Sequence, residues 1–273
     1  EGGFDTISKA AELARLLIAN PIARTEIISP APATRNDIVA VHDEFYVDQV
    51  LGGRNGQFSG DDESAASVLA TTGGVLRAVE AVLENGGCAG SLSSGLHHAK
   101  YDSSSGFCTF NGLVIGARRA LKLGARRVLI LDLDAHCGGG TWQLLGDDAR
   151  VRLADVSTNS YDSWKSLESR HHLKVVHDSK NYLVEVERAL KHLSGAQILL
   201  YNAGMDPFEG CSTGGQPGIT REVLQRREEL VADWCRTNNV PVLFVLAGGY
   251  EGPNLDLEGV ARLHLLTIKE FAK

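Results

Sequence analysis

Short apolar runs alternate with longer amphipathic segments along most of the chain. The apolar runs predict β-strands at 89–94, 126–134, 151–157, 197–203 and 241–249. Elsewhere apolar residues recur every three or four positions, which predicts helices at 65–84, 111–123, 181–193, 219–238 and 256–271. Such alternation is typical of βαβ units, so we predict an α/β fold with a parallel sheet.

The pattern gives no sign of a second domain. There is no internal repeat and no low-complexity linker, and the glycine-rich stretches 52–60 and 209–218 are predicted to be surface loops. We therefore expect residues 1–273 to form a single domain, which at this length can bury a full core without disulfides.

Composition narrows the class of protein. The chain is 43% apolar and 22% charged, as in ordinary soluble proteins, and its uninterrupted apolar runs fall far short of the ~20 residues of a membrane span. The amino terminus shows no secretory signal, and the five cysteines are scattered without a C-x-x-C pair. We expect a cytoplasmic protein that does not bind a membrane.

Charge narrows the class of partner. The net charge is −7 and the chain carries no basic stripe, which argues against nucleic acid as a partner. A small cationic substrate remains compatible with this charge.

Reactive side chains cluster directly after four of the predicted strands. In an open parallel sheet, ligands bind beyond the carboxyl ends of the strands. The segments found there are GLHHAKYDSSSGFCTFNG, DLDAHCGGGTW, NAGMDPFEG and AGGYEG. The sequence therefore predicts one site built from four strand ends.

The D-x-D-x-H run at the second of these strands predicts a metal centre. Alternate residues of a strand share a face, so Asp132, Asp134 and His136 point the same way, with Asp132 one step deeper. A carboxylate and an imidazole from this run, with Asp206, would give three protein ligands and leave a fourth position for water. This is the pattern of a catalytic mononuclear site.

Other polar residues complete a hydrolytic site. Adjacent His97 and His98 supply the imidazoles that general acid and base chemistry uses at neutral pH, and Tyr250 can aim a phenol at an oxyanion. A second pair, His171 and His172, lies in a polar stretch and is predicted to be exposed. The remaining histidines are predicted to be structural or superficial: His42, His177, His192 and His264.

The motifs LHHAKYDSSSGFCTFNG, LDLDAHCGGGTW, NAGMDP and AGGY, in this order, resemble the zinc-dependent histone deacetylase family. That family includes bacterial acetylpolyamine amidohydrolases and acetoin-utilisation proteins. The likeness covers about residues 30–265, since PAPATRNDIVAVHDEFYVDQV resembles the family's early helix and loop. It implies a three-layer α/β/α arginase/deacetylase fold. It also implies hydrolysis of an N-acylated amine, such as acetyl-lysine in a peptide or an acetylpolyamine.

Two cation sites are implied by the matching positions. Zinc, with Fe²⁺ as the alternative, would be held by Asp134, His136 and Asp206. A potassium site behind the zinc would draw on Asp132, Asp134 and Ser157.

Catalytic roles follow from the same resemblance. His98 matches the general base that acts on the metal-bound water and then protonates the leaving amine. His97 matches its electrostatic partner, oriented by Asp132, and Tyr250 matches the donor that polarises the acyl carbonyl.

Substrate contacts are implied at the mouth of the site. Phe107, next to Gly106, matches one aromatic wall of the acyl-lysine tunnel, and Gly249 matches the backbone beside the catalytic tyrosine. Either Asp61 or Asp62 could serve as the rim carboxylate that grips the substrate.

The chain also departs from the family pattern. Where the family has Gly-Asp-Gly or Gly-Asn-Gly, this chain has three glycines, so Gly139 replaces the residue that orients the second histidine. We expect His98 to be less basic and less fixed as a result. The family's second aromatic wall is also missing, so Tyr161 or Trp164 replaces it or the tunnel is wide.

Two alternative functions remain open. Asp134-Ala135-His136 resembles the start of the D-A-H-x-D motif of arginase-type ureohydrolases, but Gly138 stands where their second metal site needs an aspartate. The other alternative is a catalytically impaired protein that binds acyl-lysine or polyamine ligands and has lost efficient proton transfer through the change at Gly139.

Overall fold

Six parallel strands form one sheet in the computed structural model, which describes residues 8–54, 62–166, 169–193 and 195–273. The strands are β1 (Cys88–Ser94), β2 (Val128–Asp132), β3 (Val151–Ser157), β4 (His172–Val175), β5 (Ile198–Ala203) and β6 (Val242–Leu246). Their order in the sheet is β1-β6-β5-β2-β3-β4, with every neighbouring pair parallel.

Helices cover both faces of the sheet. Within the described ranges they are α1 (Ser8–Ala19), α2 (Arg35–Val39), α3 (Glu44–Leu51), α4 (Asp62–Asn85), α5 (Gly112–Lys122), α6 (Gly139–Leu145), α7 (Tyr182–His192), α8 (Arg221–Asn238) and α9 (Leu257–Phe271). A 3₁₀ turn at Ser179–Asn181 precedes α7.

The central strands are apolar at nearly every position because both of their faces are covered. In β2, Leu129 and Leu131 belong to a core shared with α1, α7, α8 and α9. Val128 and Ile130, which point the opposite way, belong to a second core shared with α4 and α5. The α/β prediction and the three-layer arrangement are thus confirmed.

All five predicted strands and all five predicted helices are present, with ends that differ by a few residues. Of the elements that the pattern missed, α1 is a 12-residue helix, and the others are short or atypical. β4 is a four-residue edge strand with the sequence HLKV, and α6 begins with two glycines. Such segments carry too few positions for a period to be recognised.

The prediction that His171 is exposed is wrong. Its side chain lies directly before the missed strand β4 and is 7% exposed. The backbone N–H of Leu153 donates a hydrogen bond to its Nδ1 at 3.1 Å, and its ring packs edge-on against Trp142. Burial and the neighbouring Arg170 lower the pKa of His171 to about 4.

Among the residues that the structure describes, one helix meets the length and composition of a membrane span. It is Ala65–Asn85 within α4, whose apolar residues do not form one uninterrupted run. In this structure Val75, Val79 and Val82 on α4 are buried in the core between the sheet and α5. This packing places one face of α4 in the core of the protein.

The order of the strands determines where the site forms. β1, β6, β5 and β2 are consecutive neighbours in the sheet, and each is followed by one of the four polar segments. Because the strands are parallel, the four segments emerge at the same edge.

Candidate active site

The four segments enclose a small cavity of about 40 Å³. His97 and His98 line it from the segment after β1, Asp134 from the segment after β2, Asn202 from the end of β5, and Tyr250 from the segment after β6. A space of this size takes a few water molecules or a small acyl group.

Asp134, His136 and Asp206 form the metal-competent group that the described residues contain. One ligand atom from each lies within 4.8 Å of the others. His136 Nδ1 is 3.1 Å from Asp134 Oδ1 and 3.1 Å from Asp206 Oδ2. Asp206 Oδ2 is buried and has no well-aligned hydrogen-bond donor among the described residues, although His136 Nδ1 lies 3.1 Å away. A buried acceptor of this kind fits a cation, so the donor set suits a divalent metal.

The charges of Asp134, His136 and Asp206 also favour a bound cation. Burial opposes protonation of His136, but the carboxylates of Asp134 and Asp206 outweigh it and raise its pKa to about 10. Burial and the charge of Asp134 raise the pKa of Asp206 to about 6. Two buried carboxylates therefore require a positive charge between them, which a bound cation would provide.

Backbone groups fix the two carboxylates. Asp134 accepts hydrogen bonds from the N–H groups of His136 (2.9 Å) and Gly248 (2.7 Å), and Asp206 accepts one from Ala135 (3.0 Å). A Cβ at position 248 would overlap the Asp206 carboxylate, so the segment after β6 needs glycine there.

A buried arginine links the two loops that carry Asp134 and Asp206. Arg227 of α8 is fully buried and donates to the carbonyl oxygens of Gly204 (2.6 Å) and Leu133 (3.2 Å). Its charge is balanced by Glu228, at 2.7 Å. The two carbonyls belong to the loops that carry Asp206 and Asp134, so Arg227 ties these loops together.

His97 is held by two polar residues of the sheet. Its Nδ1 is 2.7 Å from Asp132 Oδ2, and Asn202 Nδ2 donates to Asp132 Oδ1 at 2.8 Å. Burial disfavours the charged ring, but the charges of Asp132 and Asp134 outweigh it and raise the pKa of His97 to about 10. His97 is therefore the positively charged member of the pair.

Gly139 was expected to leave His98 less fixed and less basic; the ring is in fact fixed by another carboxylate, although its pKa is lowered. Its Nδ1 is 3.0 Å from Oδ2 of Asp162, which lies in the loop after β3. Lys100 pairs with the other oxygen of that carboxylate. Burial and the charge of His97 lower the pKa of His98 to about 4, so this imidazole is neutral at pH 7.

Tyr250 lines the cavity from the segment after β6. Burial and the charges of Asp206 and Asp134 raise its pKa well above the usual value, so the phenol keeps its proton. Lys9 of α1 is 1% exposed and donates to the carbonyl oxygen of Ala247, and its Nζ lies 5.6 Å from the Tyr250 ring centroid. Gly249 adopts φ 148° and supplies a second carbonyl near the ammonium, at 3.5 Å.

Aromatic residues flank the mouth. Phe107 is 56% exposed and, like Gly106, contributes to the cavity. Of the two residues expected to form the other wall, Tyr161 packs edge-on against His98, with ring centroids 5.0 Å apart. Trp164 instead stacks on Trp142, with ring centroids 4.7 Å apart, and its Nε1 donates to the buried Asp155.

The expected rim carboxylates lie beyond what the structure describes. Asp61 falls outside the described residues, and so does the side chain of Asp62, the first residue of α4. Neither is assigned a contact.

The residues of the expected potassium site are buried together with an acid that sequence reasoning missed. Asp155 in β3 is in register with Asp132 in β2, and Ser157 donates a hydrogen bond to Asp155 Oδ1 at 2.5 Å. Burial and the charge of Asp132 raise the pKa of Asp155 to about 7.

Sequence reasoning also missed Lys9, Asn202, Arg227 and Asp162. Arg227 and Glu228 carried a detectable signal, because they form a charged pair on the buried face of α8. Lys9 and Asp162 carried none, since their partners are far away along the chain.

Comparison with known proteins agrees with this geometry. Residues 5–264 match the family model described as "Histone deacetylase domain". The chain is 26% identical over 270 residues to histone deacetylase 2 of Arabidopsis thaliana, covering 90% of this chain and 69% of the plant protein. It is 31% identical over 167 residues to a probable deacetylase of Methanothermobacter thermautotrophicus, covering 57% of this chain and 49% of the archaeal protein.

The fold is shared with a solved structure. An acetylpolyamine aminohydrolase from Burkholderia pseudomallei superposes with a TM-score of 0.80 at 20% identity, covering 96% of this chain and 89% of that one. At this identity the likeness establishes the arginase/deacetylase fold.

Proposed function

Because the chain belongs to the histone deacetylase family, we propose that it is a zinc-dependent amidohydrolase that releases acetate from a small N-acetylated amine or an acetyl-lysine peptide. The observation that carries the proposal is the trio Asp134, His136 and Asp206, of which Asp134 lines the same small cavity as the adjacent His97 and His98. The free cysteines support a reducing location, and we propose the cytoplasm.

A zinc ion bound by the trio would polarise the acyl carbonyl and acidify a water molecule. The chain's own residues would transfer the protons and stabilise the charge that develops. Neutral His98 takes a proton from the attacking water and delivers it to the leaving nitrogen. His97 stays charged through Asp132 and stabilises the negative charge that develops.

Tyr250 contributes the second stabilising interaction. Its protonated phenol donates a hydrogen bond to the carbonyl oxygen as that atom becomes negative. The apolar ring of Phe107 lines the cavity and the ring of Tyr161 packs against His98, so we propose that both contact a long aliphatic amine. The small cavity favours an acetyl group over longer acyl chains. We also propose a potassium ion near Asp132, Asp134 and Ser157.

Acetate release tests the proposed function. Zinc-loaded protein is incubated with a pool of acetyl-lysine peptides and acetylated polyamines, and an enzymatic acetate assay measures the product. We expect release well above a blank that contains metal-free protein, and mass spectrometry identifies which pool member is consumed. A protein that holds about one zinc and releases no acetate would contradict the proposal and favour a binding role.

Replacing Lys9, whose buried ammonium lies beside the Tyr250 ring, tests whether the segment that carries Tyr250 must be held in place. In Lys9→Met the carbonyl oxygen of Ala247 loses its donor, so the Tyr250 segment is free to shift. Small displacements of catalytic groups are costly, and we expect kcat to fall by about 10-fold with zinc content unchanged.

The exposed Lys180 provides the matched control, because Lys180→Met removes the same charge far from the cavity. Equal kcat in the parent and Lys9→Met would show that Lys9 does not position the Tyr250 segment.

A further inference from the structure

We propose that Asp162 is the positioning residue that orients the His98 imidazole, in the space that a side chain at position 139 would otherwise fill. The inference rests on the proposed function, because it assigns a role within the same site. It also explains why a chain with Gly139 can keep a competent second histidine.

The first support is the hydrogen bonding of Asp162. Its Oδ2 lies 3.0 Å from His98 Nδ1 and accepts a second hydrogen bond from the N–H of Gly140 at 3.1 Å. Its Oδ1 pairs with Lys100. A carboxylate paired with the Lys100 ammonium and a backbone N–H is ionised and has no proton to donate, so it accepts from His98 and the proton on the ring is fixed at Nδ1. Nε2 is then the nitrogen free to take a proton.

The second support is steric. A Cβ built on Gly139 would overlap both the backbone oxygen and Oδ1 of Asp162. A side chain at position 139 and Asp162 in its present place therefore exclude each other. Glycine at 139 and aspartate at 162 act as a pair, and the carboxylate reaches His98 from the loop after β3 instead of from the segment after β2.

The third support is that the loop holding Asp162 is well anchored. Asp162 adopts φ 55°, a left-handed conformation that aspartate accepts more readily than most residues. The N–H of Cys137 donates to the carbonyl of Tyr161 at 3.0 Å, and Trp164 Nε1 donates to the buried Asp155 at 3.0 Å. The residues before and after Asp162 are thus both held by contacts to the core, which fixes the loop that carries the carboxylate.

Lys100 keeps the carboxylate ionised. Burial alone would raise the pKa of Asp162, but the hydrogen bonds from His98 and Lys100 outweigh it and lower the pKa. An ionised acceptor makes a stronger hydrogen bond to an imidazole N–H than a neutral one.

Two substitutions and one control test the role on the zinc-loaded protein. Asp162→Gly removes the carboxylate at a backbone conformation that glycine adopts without strain. Asp162→Asn keeps a neutral acceptor. Ser160→Gly, at an exposed position of the same loop, is the control for loosening the loop.

The direct readout is the tautomer of His98, measured by ¹⁵N NMR of the histidine side chains and assigned through a His98→Gln variant. We expect an Nδ1-protonated ring in the parent and in Ser160→Gly, and loss of that preference in Asp162→Gly. In Asp162→Asn we expect the Nδ1 proton resonance to move upfield, because a charged acceptor becomes neutral. This second variant decides the question if Asp162→Gly folds poorly.

Kinetics supply the second readout. We expect kcat of Asp162→Gly to fall by about 10- to 100-fold with KM and zinc content nearly unchanged, and Asp162→Asn to recover most of the loss. An unchanged His98 resonance in both Asp162 variants, or a loss confined to KM or zinc content, would overturn the positioning role. A parent without acyl hydrolysis would refute the proposed function instead, and the NMR result would still decide the role of Asp162.

Discussion

Asp206→Ala is expected to abolish metal binding and, with it, all acyl hydrolysis. Asp206 is fully buried and supplies one of the three ligand atoms of the trio. A site with only Asp134 and His136 lacks the ligand count that zinc requires in proteins. After dialysis, elemental analysis should fall from about one zinc per chain to nearly none.

A surface carboxylate provides the control for this prediction. Asp102 is exposed after the histidine pair, and Asp102→Ala should leave zinc content and rate as in the parent. Thermal melting in the presence of a chelator separates loss of the ligand from loss of the fold, since the metal-free forms of parent and variant can then be compared. Full zinc retention by Asp206→Ala would refute the ligand assignment.

Tyr250→Phe is expected to reduce kcat by about 10²- to 10³-fold while zinc stays bound, the usual effect of removing one oxyanion donor. The phenol is protonated because burial and the charges of Asp206 and Asp134 raise its pKa, so it is available as a donor throughout the neutral range. Phenylalanine keeps the ring beside Lys9 and removes only the hydroxyl.

The steady-state constants identify the origin of the loss. Because the donor acts mainly on the developing negative charge, KM should change little. Tyr101→Phe removes a phenol from an exposed ring and should match the parent. A near-normal kcat for Tyr250→Phe would remove Tyr250 from the mechanism.

The parts of the fold that the sequence predicted are those with strong local patterns. β2, β5 and β6 are continuous apolar runs, and α4, α8 and α9 are long and amphipathic, so their existence follows from periodicity. β4 could not be found this way, because a four-residue strand at the edge of the sheet is defined by its pairing with β3 rather than by its composition.

The same distinction between local sequence patterns and distant contacts applies to the residues of the site. Asp134, His136 and Asp206 follow recognisable strands, so their convergence could be expected from the parallel sheet. Asp162 could not be assigned a role, because its role depends on the space left at Gly139. The pattern shows that a side chain is missing at 139 but not which distant residue fills the space. Only tertiary contact supplies that information.

The contact between Lys9 and the segment after β6 has a consequence for biosynthesis. The two partners are 238 residues apart, and α1, which carries Lys9, packs against α9 near the other end of the chain. During translation α1 leaves the ribosome well before the segment after β6 and α9 do. The segment that carries Tyr250 therefore gains its contact with Lys9 only after β6 has been synthesised, so a nascent chain stalled before β6 would hold Asp134, His136 and Asp206 without a finished cavity.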